Sequence, residues 1–176
     1  MSLFPRRHVL GALGAALLAP RLASAQDAFA STAWPAGRPT PALDAPDLDG
    51  KSRTLADWRG RVLVLNFWAS WCAPCRTELP SLAQLAQFHG GEGVAVATVN
   101  FKESARLVRR FLEPRGLDLA VLLDPAGTVA ARWGVKIFPT TFLVDAGGRV
   151  RWSVRGEADW TGPEATRLIS TLLKTP

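Results

Sequence analysis

Between residues 41 and 173 the apolar positions alternate between two patterns, short continuous runs and runs with helical spacing. Arg61-Val62-Leu63-Val64-Leu65-Asn66-Phe67 is almost unbroken, as expected of a strand buried on both faces. Trp71 to Phe88 follows with Leu79, Leu82, Leu85, Ala86 and Phe88 on one side of a predicted helix, which His89-Gly90-Gly91 closes. Val94 to Val99 reads as a second buried strand and Glu103 to Leu112 as a second helix, stopped by Pro114 and Gly116. Leu119 to Leu123 is a short strand and Ala126 to Trp133 a short helix. Thr141 to Asp145 and Val150 to Arg155 form a hairpin across Ala146-Gly147-Gly148, and Pro163 to Leu173 ends the chain as a helix with Pro in its first turn. Upstream, Leu48-Asp49-Gly50-Lys51 predicts an N-terminal β-hairpin, because Asp-Gly supplies the positive φ of a tight turn. The order hairpin, β-α-β-α-β-α-β-β-α implies an α/β fold. Its central sheet is mixed, largely parallel with an antiparallel edge, and helices cover both faces.

The first 40 residues do not share this pattern. Arg6-Arg7-His8, the apolar run Val9 to Leu18 and Ala23-Ser24-Ala25 have the layout of an export signal, 1–25, with cleavage expected after Ala25. The apolar run is about half of the roughly 20 residues a membrane-spanning helix needs, and an uncleaved signal would act as an anchor. The Arg pair also resembles a twin-arginine signal, although Pro5 stands where Ser or Thr is usual, which leaves general secretion open. Either route predicts a periplasmic or otherwise extracytoplasmic protein. Residues 26–40, rich in Ala and Pro, are expected to be a flexible tether ahead of a domain spanning 41–176.

Charge matters less than it first appears. The full chain carries 21 Lys and Arg against 15 Asp and Glu, a net +6, and half of that excess leaves with Arg6, Arg7 and Arg21. No remaining segment clusters cations with aromatics, so nucleic-acid binding is not expected. Arg106, Arg109 and Arg110, after Glu103, read as a solvated helix face.

Both cysteines of the chain lie in Trp71-Cys72-Ala73-Pro74-Cys75, after a buried strand and at a helix start. The free N–H groups and dipole of a helix N-terminus favour negative charge and lower the pKa of Cys72. At this spacing the two sulfurs can close a small disulfide ring or open to a dithiol, and Pro74 stiffens the turn. A structural bridge is one alternative, although a loop this short constrains little of the unfolded chain. Half of a metal site is another, but it lacks ligands: His89 lies several helical turns away. Redox use is expected, with no metal and no cofactor beyond the dithiol.

Three stretches carry a family resemblance: Leu65-Asn66-Phe67-Trp68-Ala69-Ser70-Trp71-Cys72-Ala73-Pro74-Cys75, Glu78-Leu79-Pro80, and Gly134-Val135 with Phe138-Pro139-Thr140-Thr141-Phe142-Leu143-Val144-Asp145. Together they resemble the TlpA/ResA-type thiol-disulfide reductases of the thioredoxin fold, over Pro41 to Leu173. The resemblance implies that Cys72 and Cys75 are a redox-active disulfide and that Pro139 is a cis-proline. It also implies that the backbone of Phe138 pairs with substrate, and that Glu78 is a buried acid serving as base for Cys75. Trp71, just before the dithiol, and Pro74, between its two cysteines, are expected to contact substrate. One position departs from ordinary thioredoxins, which place a buried acid where this chain has Asn66, a residue that cannot titrate.

The implied activity is reduction of protein disulfides, with apocytochrome c or a copper-site assembly protein as substrate. The chain has no third cysteine and no nucleotide-binding glycine pattern, so a partner is expected to supply electrons across the membrane, and the resemblance implies a membrane thiol carrier of the DsbD/CcdA kind. A monomer is expected. Two rival readings are a peroxiredoxin-like peroxidase and a copper-binding assembly module. The latter family uses C-x-x-x-C with a distant His, whereas this chain has C-x-x-C.

Overall fold

The structure, a computed structural model, describes residues 30–174 apart from Glu92. The expected export signal lies outside the described residues. The strands are β1 (Ser31–Ala33), β2 (Asp44–Pro46), β3 (Ser52–Thr54), β4 (Val62–Trp68), β5 (Val94–Phe101), β6 (Ala120–Asp124), β7 (Thr140–Val144) and β8 (Val150–Arg155). The helices are α1 (Ala73–His89), α2 (Ala105–Leu112), α3 (Thr128–Arg132) and α4 (Pro163–Leu173). Six strands form one sheet in the order β1-β8-β7-β4-β5-β6. Its β4, β5 and β6 are parallel, and β7, β8 and β1 continue it in antiparallel fashion. This is the expected mixed sheet of the thioredoxin-like fold.

Every residue of β4 is buried, and its side chains alternate between two cores. Val62, Val64 and Trp68 face Leu79, Leu82 and Leu85 of α1, Val108 of α2 and Leu168 of α4. Leu63, Leu65 and Phe67 face the opposite core with Trp133, Phe142, Val129 of α3 and Leu43 ahead of β2. Helices therefore flank both faces, as the alternation of elements predicts. Asn66 shares the face of Val64 and Trp68, so the one polar side chain of β4 points towards α1.

The N-terminal hairpin forms where expected, with β2 and β3 as a separate two-stranded sheet and Gly50 at φ 82° in the turn. Arg109 joins it to α2, donating to Leu48 O at 3.0 Å and pairing with Asp49 at 2.6 Å. Within the segment expected to be a tether, Ser31–Ala33 instead form β1 and pair with β8. Trp34 then packs edge-on against Phe142 at 5.8 Å. An unpaired β8 edge and an apolar ring together order a stretch that has no periodicity of its own.

Helix α1 starts at Ala73, two residues later than its apolar pattern predicts, and Phe88 at its end is 67% exposed. Gly127, at φ 76°, precedes α3 and lies against the end of β5: a Cβ there would sit 2.7 Å from Lys102 Cε and 2.8 Å from Phe101 Cε2. Gly127→Ala combines left-handed strain with overlap and is expected to cost about 1–3 kcal/mol of stability. Urea unfolding of the variant measures it, and an unchanged midpoint would show that the two side chains yield freely.

Candidate active site

The chain leaves β4 at Trp68, turns through Ala69 to Trp71, and enters α1 with Cys72 as its N-cap. The Cys72 amide donates to Ala69 O at 3.2 Å, closing the turn. The Cys75 amide donates to Cys72 Sγ at 3.3 Å, so this sulfur occupies the place of a capping oxygen among the free N–H groups of the first turn. Negative charge on Cys72 is favoured there by both the hydrogen bond and the helix dipole. The two cysteines are joined as a disulfide with a Cα–Cα distance of 5.3 Å. Cys72 retains 6% of its surface and Cys75 only 1%, so Cys72 is the less enclosed of the two. Pro74 lies exposed in the first turn of α1.

A second segment reaches the same end of the sheet. Thr140 of β7 pairs with Phe67 of β4, so Pro139 lies beside the point where the chain departs towards Cys72. The Phe138–Pro139 peptide is cis, as expected from the resemblance. Thr140 Oγ1 donates to Ile137 O at 2.9 Å, and the Gly156 amide donates to Pro139 O at 2.9 Å, fixing the segment on both sides. The Trp71 ring meets Phe138 edge-on at 5.9 Å, and Phe138 in turn lies 4.8 Å from Phe101. Trp71 and Ile137 are 62% and 51% exposed, an apolar rim beside the disulfide that water alone would not favour.

Beneath the disulfide lies a buried acid. Glu78 is 2% exposed and faces β4 one helical turn beyond Cys75. Asn66 Nδ2 and Trp160 Nε1 donate to its Oε1 at 2.7 and 3.0 Å, and the Ala158 amide donates to Oε2 at 3.0 Å. Asn66 Nδ2 also donates to Thr141 Oγ1 at 2.9 Å, tying β4, α1 and β7 together. Burial pushes the Glu78 carboxyl up to about 8, against the opposing pull of the Trp160 and Ala158 donors, and the Glu157 charge adds to the rise. A carboxyl in this range exchanges protons with a thiol at little cost. Among the described residues, no group of three or more His, Cys, Asp or Glu side chains converges as a metal site.

Residues 36–153 match the AhpC/TSA family. The chain belongs to that family. Within it, this protein is 36% identical to the thiol-disulfide oxidoreductase ResA of Geobacillus thermodenitrificans, over 71% of this chain and 72% of that one. A Chlorobium tepidum structure assigned as thiol:disulfide interchange protein DsbE aligns at 31% identity with a TM-score of 0.71, covering 78% of this chain and 96% of that one. A secreted thiol-disulfide isomerase from Corynebacterium glutamicum shares the fold, at 24% identity and a TM-score of 0.74 over 85% and 95% of the two chains. The Cys72–Cys75 pair and these relatives make this AhpC/TSA-family chain a thiol-disulfide oxidoreductase.

In this AhpC/TSA-family member the seven residues singled out from sequence, Trp71, Cys72, Pro74, Cys75, Glu78, Phe138 and Pro139, gather at the C-terminal end of β4. Three others were not apparent from sequence. Ala158 and Trp160 hold Glu78 from a loop some eighty residues away, and no local pattern connects them to it. Glu103, grouped from sequence with the solvated arginines of α2, is 7% exposed and bonded to the turn before Cys72. Its one signal is position, directly after a buried strand that ends beside the site.

Proposed function

We propose that this protein is an exported reductase of protein disulfides, using the Cys72/Cys75 dithiol, with Glu78 as the group that carries the proton of Cys75. Cys72 thiolate attacks one sulfur of a substrate disulfide, and the other substrate sulfur leaves as a thiolate. Glu78 carboxylate takes the Cys75 proton, Cys75 attacks Cys72 Sγ, and the second substrate sulfur departs. Two electrons have passed to substrate and the enzyme is left as its disulfide. A membrane thiol donor of the DsbD/CcdA kind reverses the cycle: its thiolate attacks Cys72, Cys75 leaves, and the Glu78 acid returns the proton to Cys75. A second donor thiol then frees Cys72.

The observation that carries this reading is the caged Glu78 carboxyl, one turn from the buried cysteine and raised to the range of a thiol. Trp71, Pro74 and Phe138 offer an extended apolar surface to a polypeptide, with the backbone beside Pro139 available for pairing. The substrates that suit this reading are oxidised apocytochrome c or a copper-site assembly protein. Both place it outside the cytoplasm, with the 1–25 segment as its export signal. Expressing Cys75→Ala in the native compartment tests the assignment, because the mixed disulfide on Cys72 can then no longer resolve. Recovery of an apocytochrome or a copper-assembly protein on Cys72 is expected, and recovery of no protein adduct would overturn the reading.

A further inference from the structure

Glu103 is a second buried carboxylate at the site, and the reaction above gives it no proton to carry. Its Oε2 accepts from the Ser70 amide at 2.8 Å and from Asn100 Nδ2 at 2.7 Å, and its Oε1 accepts from Ser70 Oγ at 2.5 Å. Charge-assisted bonds of this kind are the stronger class, and a buried carboxylate with three donors is satisfied without water. Ser70 lies two residues before Cys72, in the turn between β4 and α1. Its amide belongs to neither the strand ladder nor the helix, and Glu103 supplies its partner.

The backbone aims this carboxylate. Lys102, immediately before Glu103, has φ 58°, the left-handed region, and is the one non-glycine residue to do so among those described. A lysine in that region is unfavourable on its own and persists only where surrounding contacts hold it. Here they do: the Lys102 amide donates to Asp124 O at 3.0 Å, and Gly127 packs against its side chain. The bend turns the chain off the end of β5, and the next side chain enters beneath the Ser70 turn.

We propose that Glu103 is a positioning residue for the dithiol: by holding Ser70, it fixes the turn that presents Cys72 Sγ to the Cys75 amide and the first turn of α1. The proposal rests on Cys72 being the attacking thiolate. A pH profile of iodoacetamide alkylation at Cys72, in the reduced full-length protein, reads the thiolate directly. In the wild type the profile is expected to rise well below the pH of an ordinary thiol.

Glu103→Gln can keep all three contacts, its Oε1 accepting from the Ser70 and Asn100 donors while its Nε2 donates to Ser70 Oγ. Its profile is expected to overlie that of the wild type. Glu103→Ala releases the turn, and its alkylation rate at low pH is expected to fall about tenfold, one pKa unit in the thiol. Ser70→Ala removes one contact of the three without opening the core, and a smaller shift in the same direction is expected. That variant keeps the test alive should Glu103→Ala not fold.

Unshifted profiles in Ser70→Ala and in folded Glu103→Ala would overturn the proposal. So would a matching move to lower pH in both Glu103 variants, which would show that the carboxylate acts by its charge alone. A wild-type profile no different from an ordinary thiol would instead sink the assignment of Cys72 as nucleophile, whatever the Glu103 variants do.

Discussion

Cys72→Ser is expected to lower the reduction of a protein disulfide by about three orders of magnitude or more, because a serine hydroxyl is not ionised at neutral pH and forms no mixed disulfide. The variant also loses the Cys72–Cys75 bridge. Closing so short a loop contributes about 2 kcal/mol at most by chain entropy, so the fold is retained. Circular dichroism separates lost chemistry from lost structure. Cys75→Ser differs in kind, since its first attack proceeds and its turnover stops at the covalent adduct. Added low-molecular-weight thiol is expected to release that adduct and restore slow cycling. Insulin-disulfide reduction by Cys72→Ser at the wild-type rate would exclude the proposed chemistry altogether.

Glu78→Gln carries the second large effect, on rate and on stability. In the wild type, resolution of the mixed disulfide by Cys75 should accelerate as pH rises through about 8, where the Glu78 carboxyl ionises. The amide cannot accept the proton, so resolution near neutral pH is expected to slow by about a hundredfold, within the usual range for general-base catalysis. What remains should follow the ionisation of the thiol itself. Stopped-flow measurement of the second step across pH 6 to 10 would decide the matter; an inflection that survives in Glu78→Gln would assign it to another group.

The same carboxyl makes stability depend on pH. Its folded value, about 8, lies above the 4.5 of an ordinary glutamate. Between these values the folded protein binds a proton that the unfolded chain does not, and stability falls as pH rises. The slope approaches about 1.4 kcal/mol per pH unit in the middle of that window and vanishes outside it. Glu78→Gln is expected to flatten this dependence between pH 5 and 8. Urea midpoints at the two ends measure it, and a wild type that grows more stable over the window would contradict a buried, protonated Glu78.

Much of this was legible in the sequence because the determining forces are local. Burial on both faces writes β4 as an unbroken apolar run, and the first turn of α1 writes itself as Cys-x-Pro-Cys. Pro139 and Glu78 are legible only through resemblance, since neither spacing nor composition says which carboxyl will be enclosed. What stayed hidden depends on distant partners. β1 forms because β8 offers an edge, and nothing in Ser31-Thr32-Ala33 records that edge. Glu103 sits beside Arg106 at helical spacing, the pattern of a solvated face, and the bend at Lys102 reverses its environment. A charge pattern reports a helix surface well but cannot register a single dihedral angle upstream of it.

The ends of the central sheet bear on self-association. An open strand is a template on which another copy can extend the sheet, and proteins limit that hazard by shortening or covering their outermost strands. Here the outer strand on one side is β1, three residues long. On the other side is β6, where the N-terminal hairpin lies across the border through the bridge between Asp47 and Leu122. The hairpin therefore acts as a guard on the sheet as well as a decoration of it.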